Sequence, residues 1–391
     1  MHRVSFFTGI LLLLGLLTGC IERYYPIGEE FRVGTLVVIA HLDNSGEEQS
    51  VYISRSTTLE FPKREPLSGC IVEIEDSEGA SFELPENEPG VYRDVAPDLF
   101  LRNGLQYRLL LFTPDGNSYA SEFEVLYPAP AIDSLYWQRE EIPGEEAGRV
   151  TEGIQFFLDF EINKEDSPYL RWQLDETYEM HNPIYKRTEM YDTDRRFKPI
   201  PAETFNQICW ISQQVPDIYT MDLGKVDGEI YRAMPLNFIS DTTQRLQYQY
   251  SLLLRQYAVS PSAFWYWDAL KNNLQSNGGL FDSEPSLSPS NICNTEDENE
   301  IVIGYFSVSG VSQKRIIVRE VQGLAIIPDS SFCAPGGLPK SFWRLTQAFL
   351  PYYIATMGSE EEIGGVTGNV DKSCIDCREH PFSSNIPPDF W

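Results

Sequence analysis

The hydrophobic pattern of the first third of the chain predicts short β-strands. Apolar and polar residues alternate from Cys70 to Glu75, and residues 36–40 and 107–112 are short apolar runs. Alternation with a period of two turns every second side chain toward a core and the others toward water. Because glycine and proline separate the runs, we predict about seven strands that form an N-terminal β-sandwich domain at residues 32–127.

A second β-rich unit is predicted beyond a proline-rich boundary. Tyr127–Pro130 contains two prolines, which stiffen the chain and remove donors from a sheet. We therefore predict an all-β protein of two sandwich domains, the second at residues 131–391, and interpret the less regular residues 183–243 as a long excursion between strands. The predicted strands of this second domain are residues 132–137, 154–162, 169–178, 246–259, 301–308 and 314–321.

One helix is predicted within the second domain, at about residues 261–276. Ser260 is a favourable N-cap, Pro261 suits the first helical position, and Asn277–Gly279 ends the element. We expect this short helix to cover one open end of the sandwich. Its predicted apolar stripe consists of Ala263, Trp267, Leu270 and Leu274.

The N-terminal domain resembles the transthyretin- or immunoglobulin-like type of sandwich. The resemblance rests on three short sequences that occur in order along the chain. They are LSGCIV at residues 67–72, PGVY at residues 89–92 and GLQYRL at residues 104–109.

The beginning of the chain has the pattern of a bacterial lipoprotein signal peptide. A short basic start precedes an apolar run, and Gly19 and Cys20 follow as the small residue and the thiol that lipoprotein processing needs. The apolar run is about 14 residues, too short for the roughly 20 that span a bilayer, which disfavours an uncleaved anchor. We predict that residues 1–19 are removed, that Cys20 is acylated, and that residues 20–31 form a tether.

Acylation of Cys20 predicts where the protein is held. Two or three acyl chains anchor a protein almost irreversibly to membrane lipid, whereas one chain binds only marginally. Ile21 follows Cys20, so the aspartate that commonly retains lipoproteins at the inner membrane is absent from that position. We therefore expect an outer-membrane lipoprotein, on either the periplasmic or the cell-surface side.

The charge of the chain disfavours one class of partner. The sequence contains 58 acidic and 30 basic residues, a formal net charge of -28. A polyanionic surface repels the phosphate backbone, so we expect no nucleic-acid binding. The acidic residues are spread along the chain, which is typical of a charge that serves solubility.

The cysteines are predicted to form disulfides. An even number in an exported chain favours bonded pairs, but six cysteines allow 15 pairings and sequence does not choose among them. We interpret Cys374 and Cys377 as a clasp that ties down the C-terminal tail. The alternatives are a zinc site with His380 and Cys333, and a redox dithiol. The disulfide candidates are Cys70, Cys209, Cys293, Cys333, Cys374 and Cys377.

No catalytic motif is present, so we predict a non-enzymatic protein without metal or cofactor. The histidines beyond His2, which are His41, His181 and His380, lie in different segments of the chain. The abundant carboxylates leave a glycosidase-like acid pair as an alternative, because sequence gives no geometry for it. Trp265 and Tyr266 are candidate binding aromatics, suited to stacking on a sugar or to a protein interface, with packing on the sandwich as the alternative.

Residues 30–391 resemble the bacterial lipoprotein family catalogued as domain of unknown function 4249. Members of that family are often encoded beside TonB-dependent outer-membrane receptors, and the resemblance therefore implies a role next to such a transporter. It implies no activity and no functional residues. The resemblance rests on Ala131–Leu135, Pro261–Leu270, Ile303–Ser309, Cys374–Cys377 and Pro388–Trp391.

Three functions follow as hypotheses. The first is an accessory or binding lipoprotein that associates with an outer-membrane β-barrel transporter. The second is a stand-alone surface lipoprotein that binds a glycan or a peptide. The third, less favoured, is a carboxylate-dependent hydrolase, which would require two close acids with raised pKa in a cleft.

Overall fold

The structure is a computed structural model that describes ten segments of the chain. The predicted signal peptide at residues 1–19, the acylation site Cys20 and the tether at residues 20–31 lie outside the described residues. The described segments are residues 33–57, 63–144, 150–162, 168–185, 187–201, 204–225, 228–275, 290–326, 333–357 and 366–391.

The fold is all-β, as predicted, and the strands before the proline-rich boundary are short. Most of them alternate between buried and exposed positions, which is the pattern that the sequence shows in this region. They are β1 (Leu36–Asp43), β2 (Glu48–Arg55), β3 (Glu65–Pro66), β4 (Ile71–Asp76), β5 (Ser81–Leu84), β6 (Glu86–Glu88), β7 (Val91–Val95), β8 (Gln106–Phe112), β9 (Ser118–Ser121) and β10 (Glu124–Val125).

Several strands after the boundary are longer, and two expectations about this region are wrong. The region 183–243 is not an irregular excursion, because it contributes β14 to β18. The two strands predicted at 301–308 and 314–321 form a single strand, β21. The strands are β11 (Ile132–Pro143), β12 (Val150–Glu161), β13 (Tyr169–His181), β14 (Arg187–Tyr191), β15 (Phe197–Pro199), β16 (Ile208–Gln214), β17 (Tyr219–Asp222), β18 (Ile230–Ser240), β19 (Tyr250–Ala258), β20 (Ile292–Asn294), β21 (Val302–Val318), β22 (Tyr352–Met357), β23 (Val366–Asn369) and β24 (Ser383–Ser384).

One long sheet of 11 strands runs through both halves of the protein. Its path is β24-β16-β13-β19-β21-β1-β2-β7-β6, with β17 beside β13 and β3 beside β2. The first half of β21 pairs with β1 in parallel, and its second half pairs with β19 in antiparallel orientation. The domain boundaries 32–127 and 131–391 stay a prediction. Strand β21 belongs to the second predicted domain by sequence, but it pairs with β1 of the first domain as well as with β19 of the second.

Two smaller sheets cover one face of the long sheet and form two cores. A six-stranded sheet (β20-β9-β8-β4-β5, with β10 beside β8) lies over β1, β2 and the start of β21. A three-stranded sheet (β11-β12-β18) lies over β13, β19 and the end of β21. Every second residue of β21 points into a core, the first half of the strand into one core and the second half into the other. The two smaller sheets therefore pack on the same face of the long sheet. The inward-pointing residues are Val302, Phe306 and Val308 in the first core, and Ile316 and Val318 in the second.

The proline-rich segment crosses the long sheet between the two covering sheets. The amide of Gly310, in the middle of β21, donates a hydrogen bond of 2.9 Å to the carbonyl of Tyr127. A Cβ atom at position 310 would lie 2.3 Å from that carbonyl oxygen and 2.8 Å from the amide nitrogen of Ala129. Only glycine allows the two segments to approach so closely.

The helix α1 (Pro261–Gln275) packs on the opposite face of the long sheet. It begins where predicted, because the Ser260 hydroxyl accepts a hydrogen bond of 3.1 Å from the amide of Ala263. Ala263 and Phe264 are its buried residues, and they pack against β19 and β21. The predicted stripe is wrong at its end, since Leu274 is 66% exposed.

The C-terminal region adds a fourth sheet, with strand order β15-β14-β22-β23. A one-turn helix, α2 (Lys372–Ile375), precedes the last strand, and the described residues of the second half of the chain include five short 3₁₀ turns. These turns are Leu223–Lys225, Gln244–Leu246, Phe342–Arg344, Gln347–Phe349 and Cys377–Glu379.

Candidate functional site

A cavity of about 620 Å³ lies between α1 and the outer face of the long sheet. We call it the α1 cavity. Its floor is formed by strands β1, β2, β13 and β19. In β1 and β13 the odd-numbered residues point away from the two cores, toward the side of the sheet on which the cavity lies. The cavity is large enough for a drug-sized molecule, since ligand pockets commonly measure about 300–1,000 Å³.

Four aromatic side chains form one wall of the α1 cavity. Tyr266 of α1 stacks on Tyr305 of β21, with ring centroids 4.6 Å apart. Tyr257 of β19 and Trp267 of α1 complete the wall. Aromatic faces of this kind favour planar and apolar groups of a ligand.

Arg171 of β13 is the principal charged group in the cavity. Its side chain is buried, with 4% of the residue exposed, and its guanidinium carbon lies 3.8 Å from the ring centroid of Trp267. Nη2 donates a weak hydrogen bond of 3.3 Å to Gln173 Oε1. Nε and Nη1 have no hydrogen-bond acceptor among the described residues. Burial lowers the pKa of Arg171 to about 10, so the guanidinium still carries its charge at neutral pH.

His41 of β1 lies on the same floor. Its Nδ1 is 2.8 Å from the hydroxyl of Ser307, and its ring packs edge-on against Tyr257, with centroids 4.5 Å apart. Burial and, secondarily, the charge of Arg171 lower its pKa to about 3, so the ring is neutral at physiological pH. Nε2 of His41 and Nε1 of Trp267 also have no hydrogen-bond partner among the described residues.

The second arginine of the cavity is neutralised by acidic neighbours. Arg255 pairs with Asp175 and, at 3.1 Å, with Glu47. Burial raises the pKa of Asp175, although the charge of Arg255 counteracts that effect. Arg171 is therefore the lining cation that has no ion pair among the described residues.

The mouth of the cavity is acidic. Asp43, Glu48 and Asp217 line the cavity and have no ion pair among the residues that the structure describes. Glu48 and Asp217 are exposed, whereas Asp43 is half-buried. The cavity thus has an unpaired positive charge on its floor and unpaired negative charges around its opening.

This geometry suits binding better than catalysis. A histidine with a pKa of about 3 is a poor proton acceptor at neutral pH, so His41 does not fit the role of a general base. Asp175, the carboxyl with a raised pKa, is held by Arg255 and Gln173. Buried donors without acceptors cost folding free energy, and that cost is commonly retained where a ligand provides the acceptor.

The two predicted binding aromatics lie in different environments. Tyr266 is half-buried and belongs to the cavity wall. Trp265 is 53% exposed and lies outside the cavity, with its ring centroid 5.4 Å from Nζ of Lys225. The structure therefore does not bring the two side chains together in one site.

Four of the cysteine candidates form two disulfides, both of which hold the C-terminal tail. Cys209 bonds to Cys377 and Cys333 bonds to Cys374. These bonds support the clasp and contradict the zinc and redox-dithiol alternatives, because neither Cys374 nor Cys377 retains a thiol. Among the described residues no three histidine, cysteine or acidic side chains converge as metal ligands.

The remaining candidates, Cys70 and Cys293, are free thiols, which corrects the expectation that they are bonded. Cys293 lies on β20 and Cys70 directly precedes β4. Strands β9 and β8 separate β20 from β4 in the six-stranded sheet. At about 4.8 Å per strand, the spacing exceeds the roughly 7 Å limit between the Cα atoms of a disulfide.

The polar residues of the cavity are not recognisable from local sequence pattern. Arg171 stands between Leu170 and Trp172, and its alternation with two apolar residues indicates only that it faces away from a core. His41 likewise stands between two apolar residues in β1, and this pattern too indicates only that it faces away from a core. Nothing local indicates that β19 and β21 together join these two strands into one sheet, which places both residues beneath α1.

Comparison with known proteins assigns the chain to a family. No curated protein matches the chain. None of the helices in the described segments is both long and apolar enough to cross a membrane. The sequence model of one family, described as a domain of unknown function, matches residues 21–315, which leaves the disulfide-bonded cysteines beyond Cys209 outside the matched region. The chain belongs to that family, DUF4249.

Proposed function

We propose that this protein is a lipid-anchored binding protein of the bacterial envelope whose ligand site is the α1 cavity. One observation carries the proposal. Four buried nitrogen atoms of residues that line the cavity, on His41, Arg171 and Trp267, have no hydrogen-bond partner among the described residues. The three nitrogen atoms on Arg171 and Trp267 are donors, and an unsatisfied buried donor costs about 1–3 kcal/mol, so a ligand that supplies acceptors gains affinity from these atoms.

The lipid anchor supports a role at a membrane surface. The signal-peptide pattern and Cys20 favour acylation and an outer-membrane position. Mass spectrometry of the native protein tests this placement, with an acylated Cys20 as the new N-terminus as the expected result. An unmodified Cys20 would contradict the anchor without affecting the cavity.

An outer-membrane β-barrel transporter is the partner that we propose. The support is the association that the family resemblance implies, together with the predicted anchor. Co-purification from gently solubilised outer membranes tests it, and a β-barrel protein is expected to accompany the lipoprotein. Recovery of the lipoprotein alone would favour a stand-alone binder.

The stand-alone alternative has its own supporting observation. The exposed ring of Trp265 is available for stacking on a sugar, which is the chemistry of many glycan-binding surfaces. Affinity electrophoresis against a polysaccharide panel tests it. Retardation that Trp265→Ala abolishes would favour glycan capture at the helix surface over ligand binding in the cavity.

Thermal unfolding in the presence of small molecules tests the cavity itself. The lipidated full chain in mild detergent is screened against sugars, organic acids, amino acids, short peptides and nucleosides. A ligand of the cavity is expected to raise Tm in the wild type and in Trp265→Ala, but not in Trp267→Ala. The two variants are matched, because the residues are two positions apart on α1 and only Trp267 lines the cavity. A panel with no such ligand would contradict the proposed function.

A further inference from the structure

We propose that the ligand of the α1 cavity is a small zwitterion, a short peptide whose C-terminal carboxylate binds Arg171 and whose ammonium group faces the acidic mouth. This inference rests on the proposed binding function and extends it to a ligand class. Three features of the cavity carry it: the unpaired arginine on the floor, the unpaired acids that also line the cavity, and the aromatic wall.

The arginine points to a carboxylate. Arg171 is 4% exposed, and its Nε and Nη1 have no acceptor among the described residues. Guanidinium and carboxylate form charge-assisted hydrogen bonds, which are about twice as strong as neutral ones. The neutral ring of His41 and the indole of Trp267 add two further nitrogen atoms without partners in the same cavity. A sugar hydroxyl would satisfy one of these nitrogen atoms but would bring no negative charge to Arg171, which has no ion pair among the described residues.

The mouth points to a cation on the same ligand. Asp43, Glu48 and Asp217 lie around the opening without ion pairs among the described residues. They would repel a ligand that carries only negative charge, and the whole chain, at -28, repels it as well. A molecule with separated positive and negative ends matches both the floor and the mouth.

The size and the wall of the cavity point to a peptide. The volume of about 620 Å³ is in the range for drug-sized ligands rather than for a single small ion. Tyr257, Tyr266, Trp267 and Tyr305 line the cavity and give it apolar surface against which an apolar or aromatic side chain of the ligand can pack. A tripeptide has both ends and such a side chain.

Binding requires a local adjustment around Arg171. The two nitrogen atoms without acceptors are out of contact with solvent, so the carboxylate reaches them only after neighbouring side chains shift. Trp267 lies closest, with 3.8 Å between its ring centroid and the guanidinium carbon. The emission of Trp267 is therefore expected to change on binding, and Trp267→Phe identifies this contribution among the seven tryptophans.

Calorimetric titration with three forms of one tripeptide tests the proposal. The probe is Ala-Ala-Phe with free ends, its C-terminal amide and its N-acetyl derivative, each added to the lipidated full chain. We expect the amide to bind at least about tenfold more weakly than the free peptide, because it lacks the carboxylate. We expect the N-acetyl form, which lacks the ammonium group, to bind about threefold more weakly than the free peptide. This effect is smaller because the acids at the mouth are solvated.

Two variants test whether Arg171 is the residue that gives the preference for a free carboxylate. Arg171→Met is expected to bind the free peptide and the amide with equal affinity. Arg319→Met is the matched control, since Arg319 is exposed, contacts Gln249 and does not line the cavity, and it should retain the tenfold preference. An unchanged preference in Arg171→Met would overturn the role of Arg171. Equal binding of all three forms to the wild type would overturn the zwitterion.

Failure of this inference is distinguishable from failure of the proposed function. If Ala-Ala-Phe does not bind, but another compound of the thermal panel raises Tm in a manner that depends on Trp267, the ligand class is wrong and the binding site stands. If no compound raises Tm, both are wrong.

Discussion

The two faces of the long sheet differ in how completely their polar groups are satisfied. Trp172 and Arg171 are neighbours in β13 and point to opposite faces. On the covered face, Trp172 Nε1 donates to Gln256 Oε1 at 2.8 Å, and Gln256 Nε2 donates to the carbonyl of Pro130 at 2.8 Å. On the outer face, Arg171 retains two nitrogen atoms without acceptors.

This difference separates the part of the sheet that stabilises the fold from the part suited to binding. A buried polar group that is satisfied, as in the Trp172–Gln256–Pro130 chain, adds to a unique packing arrangement. A buried charge without a partner reduces stability, and natural proteins tolerate such groups mainly at functional sites. The covered face is therefore expected to respond to mutation through stability, and the outer face through binding.

Removal of the buried indole on the covered face should have the largest effect. Trp172→Ala leaves a cavity in the second core and an unsatisfied Gln256, so the free energy of unfolding should fall by about 3–5 kcal/mol. Urea denaturation measures it. Trp265→Ala, on the surface of α1, should change stability by no more than about 0.5 kcal/mol. A loss below about 1 kcal/mol in Trp172→Ala would show that the covered face is not the stabilising one.

A side chain at the crossing of the proline-rich segment should also destabilise the covered face. Gly310→Val places a Cβ atom 2.3 Å from the carbonyl oxygen of Tyr127, and the segment must move away from β21. We expect a loss of about 2–3 kcal/mol in unfolding free energy. Gly337→Val is the control, because a Cβ atom there meets nothing within 4 Å. Equal stability of the two variants would contradict the close approach.

The outer face should make stability depend on pH through His41. The pKa of His41 is about 3 in the folded protein, whereas an ordinary histidine side chain, as in the unfolded chain, has a pKa of 6.5. The unfolded chain therefore takes up a proton first as the pH falls. Stability is therefore lost below about pH 6.5, by about 2 kcal/mol at pH 5 relative to pH 8. His41→Asn should lose correspondingly less over this interval in urea denaturation. If both proteins lose the same amount, the neutral, enclosed state of His41 is wrong.

Replacement of the unpaired arginine should have the smallest effect on stability and the opposite sign. Arg171→Met removes a buried charge that has no ion pair among the described residues and retains most of the side-chain volume, so unfolding free energy should rise by about 1 kcal/mol. Thermal and urea denaturation measure it. A fall of more than about 1 kcal/mol would assign Arg171 to the support of the fold rather than to ligand binding.

Local signals explain why the start of α1 could be predicted to the residue. Ser260 and Pro261 specify the first turn through one capping hydrogen bond and one fixed backbone angle. The predicted end of the helix, at residues 276–279, lies outside the described residues. The burial of its stripe depends on distant strands. Leu274 extends beyond the sheet that covers Ala263, and therefore it is exposed despite its helical spacing.

The structure of β21 shows the limit of local pattern. Gly310 and its polar neighbours interrupt the apolar run, so the sequence predicts two strands at 301–308 and 314–321. The structure joins them because β1 pairs with the first half and β19 with the second. The residues of β1 lie more than 200 positions and those of β19 about 50 to 70 positions away from their partners in β21, beyond the reach of any local signal.

The sequence by itself determined the properties that arise within a few residues: the strand-rich composition, the start of α1, the proline-rich segment and the cysteines available for the tail. Steric and hydrogen-bond preferences of neighbouring residues are sufficient for these. Only the tertiary structure decided the cysteine pairing, the continuity of the long sheet and the meeting of Arg171, His41 and Trp267 in one cavity. These depend on contacts between segments far apart in the chain, where burial and pairing free energy outweigh local preference.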